Sequence, residues 1–420
     1  FTNVLSAVGV YLPAWMVTDP KTAHDVYLQA VQSHADLSSL AWTVAPQIAN
    51  LRLIFNLPAF LIVGFISILA YIGIKESKRS ANAMVIVKLL VLLLVVVVGY
   101  FYINTDNYTP FFPNHFSGVL KGVSAVFYAY IGFDAISTTA EECENPQRDL
   151  PRAMMWSIII CTILYIVIAL ILTGMVSYDQ LAVGDPLAYV FKVVDLKKMS
   201  GIISISAVVA MASVLLVFQM GQPRIWMSMS RDGLLPAKFS SIHPKYKTPW
   251  FATLVTGAVV AIPALFMNLT EVTDLTSIGT LFAFVLVCAG VLLLPKEDAE
   301  ESKHKRFRIP YINSKFIVPL LFVGLLIVFK EQIMALFDYN GDWHVYKDKL
   351  PYFLFILAAI IMSVLSFMKS LSLIPVLGML SCLYLITELG YTNWLRFLIW
   401  LGLGLIIYFS YSYHKSNLNN

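Results

Sequence analysis

Residues 126–152 read VFYAYIGFDAISTTAEECENPQRDLPR and determine how the rest of the chain is interpreted. The stretch begins as an apolar helix, into which Gly132, Phe133 and Asp134 bring a flexible residue and a carboxylate. A charge inside a membrane helix is costly, so a functional explanation is the default. The Asn145-Pro146 pair predicts a helix stop, and residues 149–151 predict the start of the next helix.

The composition places this stretch in a membrane protein. The chain has 420 residues, of which 59% are hydrophobic and only 13% are charged. So few charges cannot cover the surface of a soluble protein with so much apolar material. A search for apolar runs of about 20 residues finds eleven candidate spans, at about 56–74, 83–103, 119–140, 153–175, 200–222, 250–268, 275–294, 315–336, 351–368, 371–389 and 394–412. The predicted fold class is therefore an all-α polytopic membrane protein.

The distribution of Lys and Arg predicts the orientation. Basic residues concentrate in alternate connections, for example in residues 75–79, 224–247 and 296–315. The side with this excess is normally cytoplasmic, which predicts an external segment 1–55 and a cytoplasmic C-terminus. The chain begins at Phe1 with residues that resemble the end of a span and not a signal peptide. An N-terminal truncation is therefore expected.

Several function classes are not expected from the residue types. The four Cys lie in or beside apolar spans without a CxxC pair, which argues against a disulfide framework or a zinc site. The seven His lie in connections or in the tail, which argues against haem ligation and an intramembrane metalloprotease. No GxxxxGK[ST] motif occurs, and no nucleophile–base pair lies in the spans. We expect no enzyme activity, no metal, no cofactor and no nucleic-acid partner.

Two charged residues fall inside the predicted spans, and each has two readings. Lys88 lies about six residues, or about 9 Å, from the end of its span, so it either reaches the membrane surface with its long side chain or titrates in a polar pathway. Asp134 is either a helix cap or a proton-responsive carboxylate at a discontinuous helix. The sequence alone leaves both alternatives open.

Gly132 is either a small residue for helix packing or the site of an unwound turn. Its neighbours Phe133 and Asp134 favour the unwound turn. Broken helices offer main-chain groups that bind ammonium and carboxylate groups at mid-membrane in transporters. An aromatic residue before the break, such as Tyr128, packs against other helices or closes over a small solute.

Four segments together resemble one known superfamily. They are YIGIKESKRSANAMVIVKLL (71–90), YIGFDAISTTAEECENPQRDLPRAM (130–154), GQPRIWMSMSRDGLLPAKFSSIHPKYKTP (221–249) and RFRIPYINSKFIVP (306–319). In these segments the chain resembles the amino acid–polyamine–organocation superfamily, and in particular bacterial relatives of the cationic amino acid transporters. The resemblance extends over almost the whole chain.

The resemblance implies a five-plus-five inverted-repeat transporter fold, truncated at the N-terminus and followed by four extra C-terminal helices. It divides the chain into an external connection, helices 4 and 5 of the first repeat, helices 6–10 of the second repeat, and the four C-terminal helices with a cytoplasmic tail. These parts are residues 1–55, 56–103, 104–294 and 295–420. The family's Gly-rich first helix, which receives the substrate carboxylate, has no counterpart in this sequence. We therefore expect this chain alone to bind substrate poorly.

The resemblance also implies a substrate site and a coupling site. Tyr128 matches the aromatic lid, while Ala129, Ile131 and Gly132 supply main-chain acceptors for the substrate ammonium, with Phe133 in the same break. Phe218 matches a position that borders the side-chain pocket, and its size implies small neutral substrates. Lys88 matches a lysine that occupies the place of a sodium ion in sodium-independent relatives. Ser213 faces that place, and Asp134 matches an acidic residue linked to protons.

These implications predict a secondary transporter that imports L-amino acids with a proton across the plasma membrane by alternating access. Two alternatives remain at this point: an amino acid exchanger without net proton coupling, and a non-transporting amino acid sensor. The substrate's identity and the oligomeric state are left open.

Overall fold

The computed structural model describes residues 12–48, 51–73, 78–111, 113–133, 136, 143–293, 311–337 and 343–416. Two short strands, β1 (Gln47–Ile48) and β2 (Leu51–Arg52), form an antiparallel hairpin near the start of the chain. The α-helices of four residues or more are α1 (Pro20–Gln32), α2 (Ala41–Val44), α3 (Leu57–Ile72), α4 (Lys78–Tyr100), α5 (His115–Phe127), α6 (Pro146–Met175), α7 (Pro186–Val193), α8 (Lys197–Arg231), α9 (Trp250–Phe266), α10 (Leu269–Leu293), α11 (Ile317–Val328), α12 (Lys330–Phe337), α13 (Trp343–Lys369), α14 (Leu373–Thr387) and α15 (Tyr391–Ile407).

The predicted all-α polytopic membrane fold is confirmed. Each of the eleven predicted apolar stretches contains a helix in the part of the chain that the structure describes. Six helical segments there are long and apolar enough to cross a membrane: Ala83–Tyr100, Pro146–Met175, Lys197–Arg231, Leu269–Leu293, Lys349–Lys369 and Tyr391–Lys415. Shorter apolar helices are Leu57–Ile72, Trp250–Phe266, Ile317–Val328 and Leu373–Thr387.

Helix α6 begins earlier than the sequence predicts. Pro146 is its first residue and not a helix stop, and the expected start at residues 149–151 is wrong. The carbonyl of Asn145 accepts hydrogen bonds from the amides of Arg148 and Asp149 at 3.1 and 2.9 Å. Proline suits the first helical position because its missing N–H has no intrahelical partner there in any case. Asn145-Pro146 is therefore a start signal.

The first of two compact units comprises Phe1–Phe111, Ile160–Leu269 and Leu405–Asn420. In it, α3 begins where the Asn56 side chain accepts from the Ala59 amide at 3.2 Å, and it ends at Gly73, whose φ is +71°. Helix α9 presents buried small residues such as Ala252, Gly257 and Ala261. Small residues allow the close backbone approach by which helices associate in lipid.

The second unit comprises Phe112–Ile159 and Thr270–Gly404. Its main apolar cluster is formed by Ile278, Leu281 and Val285 of α10 with Ile386 and Leu389 at the end of α14. A polar network joins α10 to α15, in which Arg396 forms an ion pair with Glu271 at 2.8 Å. Asn393 donates to an Asp274 carboxylate oxygen at 2.7 Å in the same network. Helix α10 is thus held by polar contacts at its start and by apolar contacts further along.

Candidate functional site

The helix break predicted around Gly132 is present. Helix α5 ends at Phe127, and a single 3-10 turn, Tyr128–Tyr130, follows it. Ile131 is extended, with φ −61° and ψ 131°, and its amide donates to the Tyr128 carbonyl at 3.2 Å. Gly132 has φ +121°, a conformation that favours glycine because it has no Cβ. The main chain therefore leaves α-helical geometry after Phe127 and leaves helical geometry altogether at Ile131 and Gly132.

The ring of Phe284 contacts residues on both sides of this break. Phe284 lies in α10, and its ring centroid is 6.3 Å from that of Phe127 in an edge-to-face pair. Its centroid is also 5.6 Å from that of Phe133, in a tilted pair. One side chain thus spans the last residue of α5 and the first residue after Gly132. Sequence reasoning missed Phe284, because nothing in residues 281–286 reveals which helix faces the break.

A buried serine holds the segment before the break. Ser124 of α5 is only 4% exposed and donates to the Leu385 carbonyl of α14 at 3.0 Å. With Phe284 on α10, this bond fixes the end of α5 from two neighbouring helices. Side-chain contacts from α10 and α14 therefore stabilise the main chain next to the break.

The predicted substrate residues differ in exposure. Tyr128 and Ala129 are exposed, while Ile131, Gly132 and Phe133 are half-buried. The tyrosine ring is thus accessible next to the non-helical main chain. Asp134, predicted as a proton-linked carboxylate, lies outside the described residues.

The structure brings Lys88 and Ser213 together, although 125 positions separate them in the sequence. The Lys88 ammonium on α4 donates a hydrogen bond to the Ser213 hydroxyl on α8. That hydroxyl in turn donates a hydrogen bond to the Ala210 carbonyl at 2.9 Å. The Lys88 side chain is therefore directed at a neighbouring helix.

Phe218 lies on a different face of α8 from Ser213. Five residues separate them, which corresponds to about 140° around an α-helix. The Phe218 ring is half-exposed, at 47%. Ser213 and Phe218 are both in the first unit, whereas residues 128–133 belong to the second.

Sequence reasoning also left Gln219 without a role. This residue is 2% exposed, and its side-chain nitrogen donates to the Ser67 hydroxyl of α3 at 2.9 Å. An amide in an apolar span was the available signal, since buried polar groups in proteins need partners. The partner itself, 152 positions away, cannot be read from the sequence.

The described residues contain no group of three or more His, Cys, Asp and Glu side chains that could hold a metal ion. The polar groups described above are hydroxyls, an amide, an amine and main-chain groups. They suit hydrogen bonding to a small solute.

The sequence matches two parts of one protein family. Residues 4–361 match the family described as "Amino acid permease", and residues 371–416 match "C-terminus of AA_permease". Together the two matches cover nearly the whole chain, and this family consists of transporters and not of enzymes.

Curated relatives agree with this match. The chain is 38% identical over 420 residues to the branched-chain amino acid permease BcaP of Bacillus subtilis (strain 168), covering 100% of this chain and 72% of that protein. It is 34% identical over 366 residues to the methylthioribose transporter of the same organism, covering 87% and 66%. It is 30% identical over 424 residues to the vacuolar cationic amino acid transporter 4 of Arabidopsis thaliana, covering 86% and 70%.

The chain thus spans between 66% and 72% of the length of these three relatives. The apolar helices and the family matches identify a multi-pass membrane protein. The resemblance found in the four sequence segments is confirmed: the chain belongs to the amino acid permease family within the amino acid–polyamine–organocation superfamily.

Proposed function

We propose that the protein is a secondary active transporter that imports small neutral L-amino acids together with a proton by alternating access. Membership of the amino acid permease family supports amino acid transport as the class of activity. The hydrogen bond between Lys88 and Ser213 carries the proposal of proton coupling. A basic group inside a membrane helix is costly and commonly marks an ion or proton pathway.

The chemistry of this contact suits a group that gains and loses a proton. Because the Ser213 hydroxyl donates a hydrogen bond to the Ala210 carbonyl, its oxygen is an acceptor toward Lys88. An ammonium and a neutral amine both carry N–H donors, so Ser213 can accept from either form. Coupling further requires that Lys88 bind the proton with different affinity in the outward-open and inward-open states.

The break in the second unit is the proposed site for the substrate ammonium. Main-chain groups at a broken membrane helix can hold the ammonium group of a transported solute. In this proposal the carbonyls of Ala129, Ile131 and Gly132 are the acceptors and the exposed Tyr128 ring is the lid. Phe133 holds the far side of the break through its contact with Phe284. Asp134 is proposed as a second proton-linked group.

The size of Phe218 supports a small, neutral side chain in the substrate. Phe218 is half-exposed on α8. We propose that its ring limits the length of the substrate side chain, and it offers a guanidinium no hydrogen-bond acceptor. One relative is named for branched-chain amino acids, which are neutral, and another for cationic amino acids. We propose that this protein belongs with the neutral class.

The proposed location is the plasma membrane with the C-terminus in the cytoplasm. Basic connections such as residues 224–247 support this orientation through the positive-inside rule.

Uptake by the full-length protein in proteoliposomes tests the proposal. We expect labelled alanine or leucine to accumulate when the outside is acidic, and accumulation to stop when a protonophore removes the gradient. Arginine and methylthioribose serve as competitors that should not inhibit. Equal counter-flow with and without a pH gradient, and no accumulation under the gradient, would identify an exchanger and refute proton coupling.

A further inference from the structure

Helix α8 forms polar bonds to neighbouring helices on different sides. Ser213 contacts Lys88 of α4, and six residues later Gln219 contacts Ser67 of α3. Ser67 in turn donates to the Val63 carbonyl at 2.7 Å, so its oxygen is directed as an acceptor toward the Gln219 amide. Interhelical hydrogen bonds of this kind join helices in lipid, where apolar packing alone discriminates weakly between orientations.

Three helices meet closely at Gln219. On α9, a Cβ added to Gly257 would lie 2.8 Å from the Ser67 hydroxyl and 3.6 Å from the Gln219 side-chain nitrogen. No real side chain fits at the shorter of these separations unless the neighbours move. Glycine at position 257 thus allows α9 to cover the Gln219–Ser67 bond, which explains why Gln219 is only 2% exposed.

The bond lies where α8 is intrinsically weak. Pro223 is inside the helix and fully buried, four residues after Gln219. Proline has no N–H, so it cannot donate to the Gln219 carbonyl, and helices bend at such positions. The side chain of Gln219 therefore ties α8 to α3 at the residue whose helical hydrogen bond is missing.

The geometry of an α-helix gives the angles around its axis between Gln219 and the two proposed functional residues of α8, Ser213 and Phe218. Measured from Ser213, Phe218 lies about 140° and Gln219 about 240° around the axis, so the three side chains point in directions roughly 120° apart. Side-chain atoms lie about 5 Å from the helix axis. A rotation of about 20° therefore displaces the Ser213 oxygen by about 1.7 Å, which exceeds the tolerance of a hydrogen bond.

We infer that Gln219 is a positioning residue, whose bond to Ser67 sets the rotation of α8 and thereby holds Ser213 against Lys88. The same rotation determines where α8 presents Phe218. The consequence for transport rests on the proposed function, but the positioning itself does not.

Gln219→Leu removes the hydrogen bond and puts an apolar side chain in the same buried position. Ser67→Ala removes the acceptor of the same bond with a smaller change in side-chain volume. It is the alternative test if the Gln219→Leu variant does not fold. Thr256→Val is the matched control: Thr256 is a buried polar residue on the covering helix α9, but its hydroxyl donates within that helix, to the Ala252 carbonyl at 2.9 Å.

The pH at which uptake is half-maximal is the first readout. Ser213→Ala removes the hydroxyl that contacts Lys88, so we expect its midpoint to shift. Gln219→Leu should shift the midpoint in the same direction and by at least half as much, and the double variant should shift no further than Ser213→Ala. Thr256→Val should keep the wild-type midpoint. A wild-type midpoint in Gln219→Leu and Ser67→Ala, or a shift that adds to that of Ser213→Ala, would overturn the inference.

Thermal stability in detergent is the second readout and separates this inference from the proposed function. Residues that do not touch have additive effects unless they act through a shared structure. We expect the loss of melting temperature in the Gln219→Leu, Ser213→Ala double variant to be smaller than the sum of the single losses. If wild-type uptake does not depend on pH, the proposal of proton coupling is refuted. The melting temperatures of the single and double variants then decide the inference alone. Additive losses then reject it.

Discussion

Replacement of Phe284 by leucine tests whether the helix break is held ready for substrate. Leucine keeps an apolar side chain in α10 but removes both ring contacts, with Phe127 at 6.3 Å and with Phe133 at 5.6 Å between centroids. An aromatic pair contributes about 0.5–1.5 kcal/mol beyond the burial of its area. The two pairs together thus contribute about 1–3 kcal/mol to holding residues 128–132 in their observed conformation.

This energy sets the expected loss of affinity. If the substrate ammonium binds the main chain of the break, the unsupported break must be ordered when the substrate binds. A cost of about 1–3 kcal/mol raises the dissociation constant by about 5- to 150-fold. The upper value applies only if the break is wholly disordered without Phe284, so we expect a change of about tenfold.

Equilibrium binding of a labelled neutral amino acid to the purified full-length protein measures this loss. Phe282→Leu is the matched control, since Phe282 is two positions away on α10 and its ring packs on Phe397 of α15 at 5.1 Å. We expect wild-type affinity in the control. An unchanged dissociation constant in Phe284→Leu, or an equal loss in both variants, would refute the role of the break in binding.

Two further substitutions test other parts of the structure. Phe218→Gly removes the ring proposed to limit the substrate side chain, so arginine should become a competitor for uptake, whereas continued exclusion of arginine would show that Phe218 does not set the size limit. Gly233→Ala should lower the melting temperature. Gly233 has φ +80° and closely approaches the Lys415 carbonyl, next to the bond that Ser412 donates to the Leu234 carbonyl at 2.6 Å. The left-handed conformation alone costs alanine about 1–2 kcal/mol. Gly201→Ala in α8 is the control, because no atom lies within 4 Å of the added Cβ, and it should not destabilise the protein.

The fold was largely predictable because membrane spans are long apolar runs. Each of the eleven runs found in the sequence contains a helix in the described chain. Boundaries were harder to predict, as Pro146 shows: proline can follow the end of a helix or occupy its first position. The break at Gly132 was predictable, because glycine beside a carboxylate in an apolar run is costly unless the main chain needs it.

The contacts between helices were not predictable from composition or periodicity. The resemblance alone pointed to Lys88 and Ser213 as partners, and their roles stay a prediction. Phe284 was missed because aromatic residues are common in membrane helices and the sequence does not say which one faces a break. An amide in an apolar span marked Gln219 as a residue that needs a partner. The sequence did not identify Ser67 as that partner, or show that Gly257 leaves space for their bond.

Proton-driven uptake by the Lys88→Ala variant tests the central claim most directly. In proteoliposomes that contain the full-length protein, wild-type uptake of a neutral amino acid should increase when the outside is acidified, because we propose that the coupled step is protonation of Lys88. Lys88→Ala should bind the amino acid measurably but show no accumulation at any imposed pH gradient. Accumulation by Lys88→Ala with the wild-type dependence on the pH gradient would contradict the account.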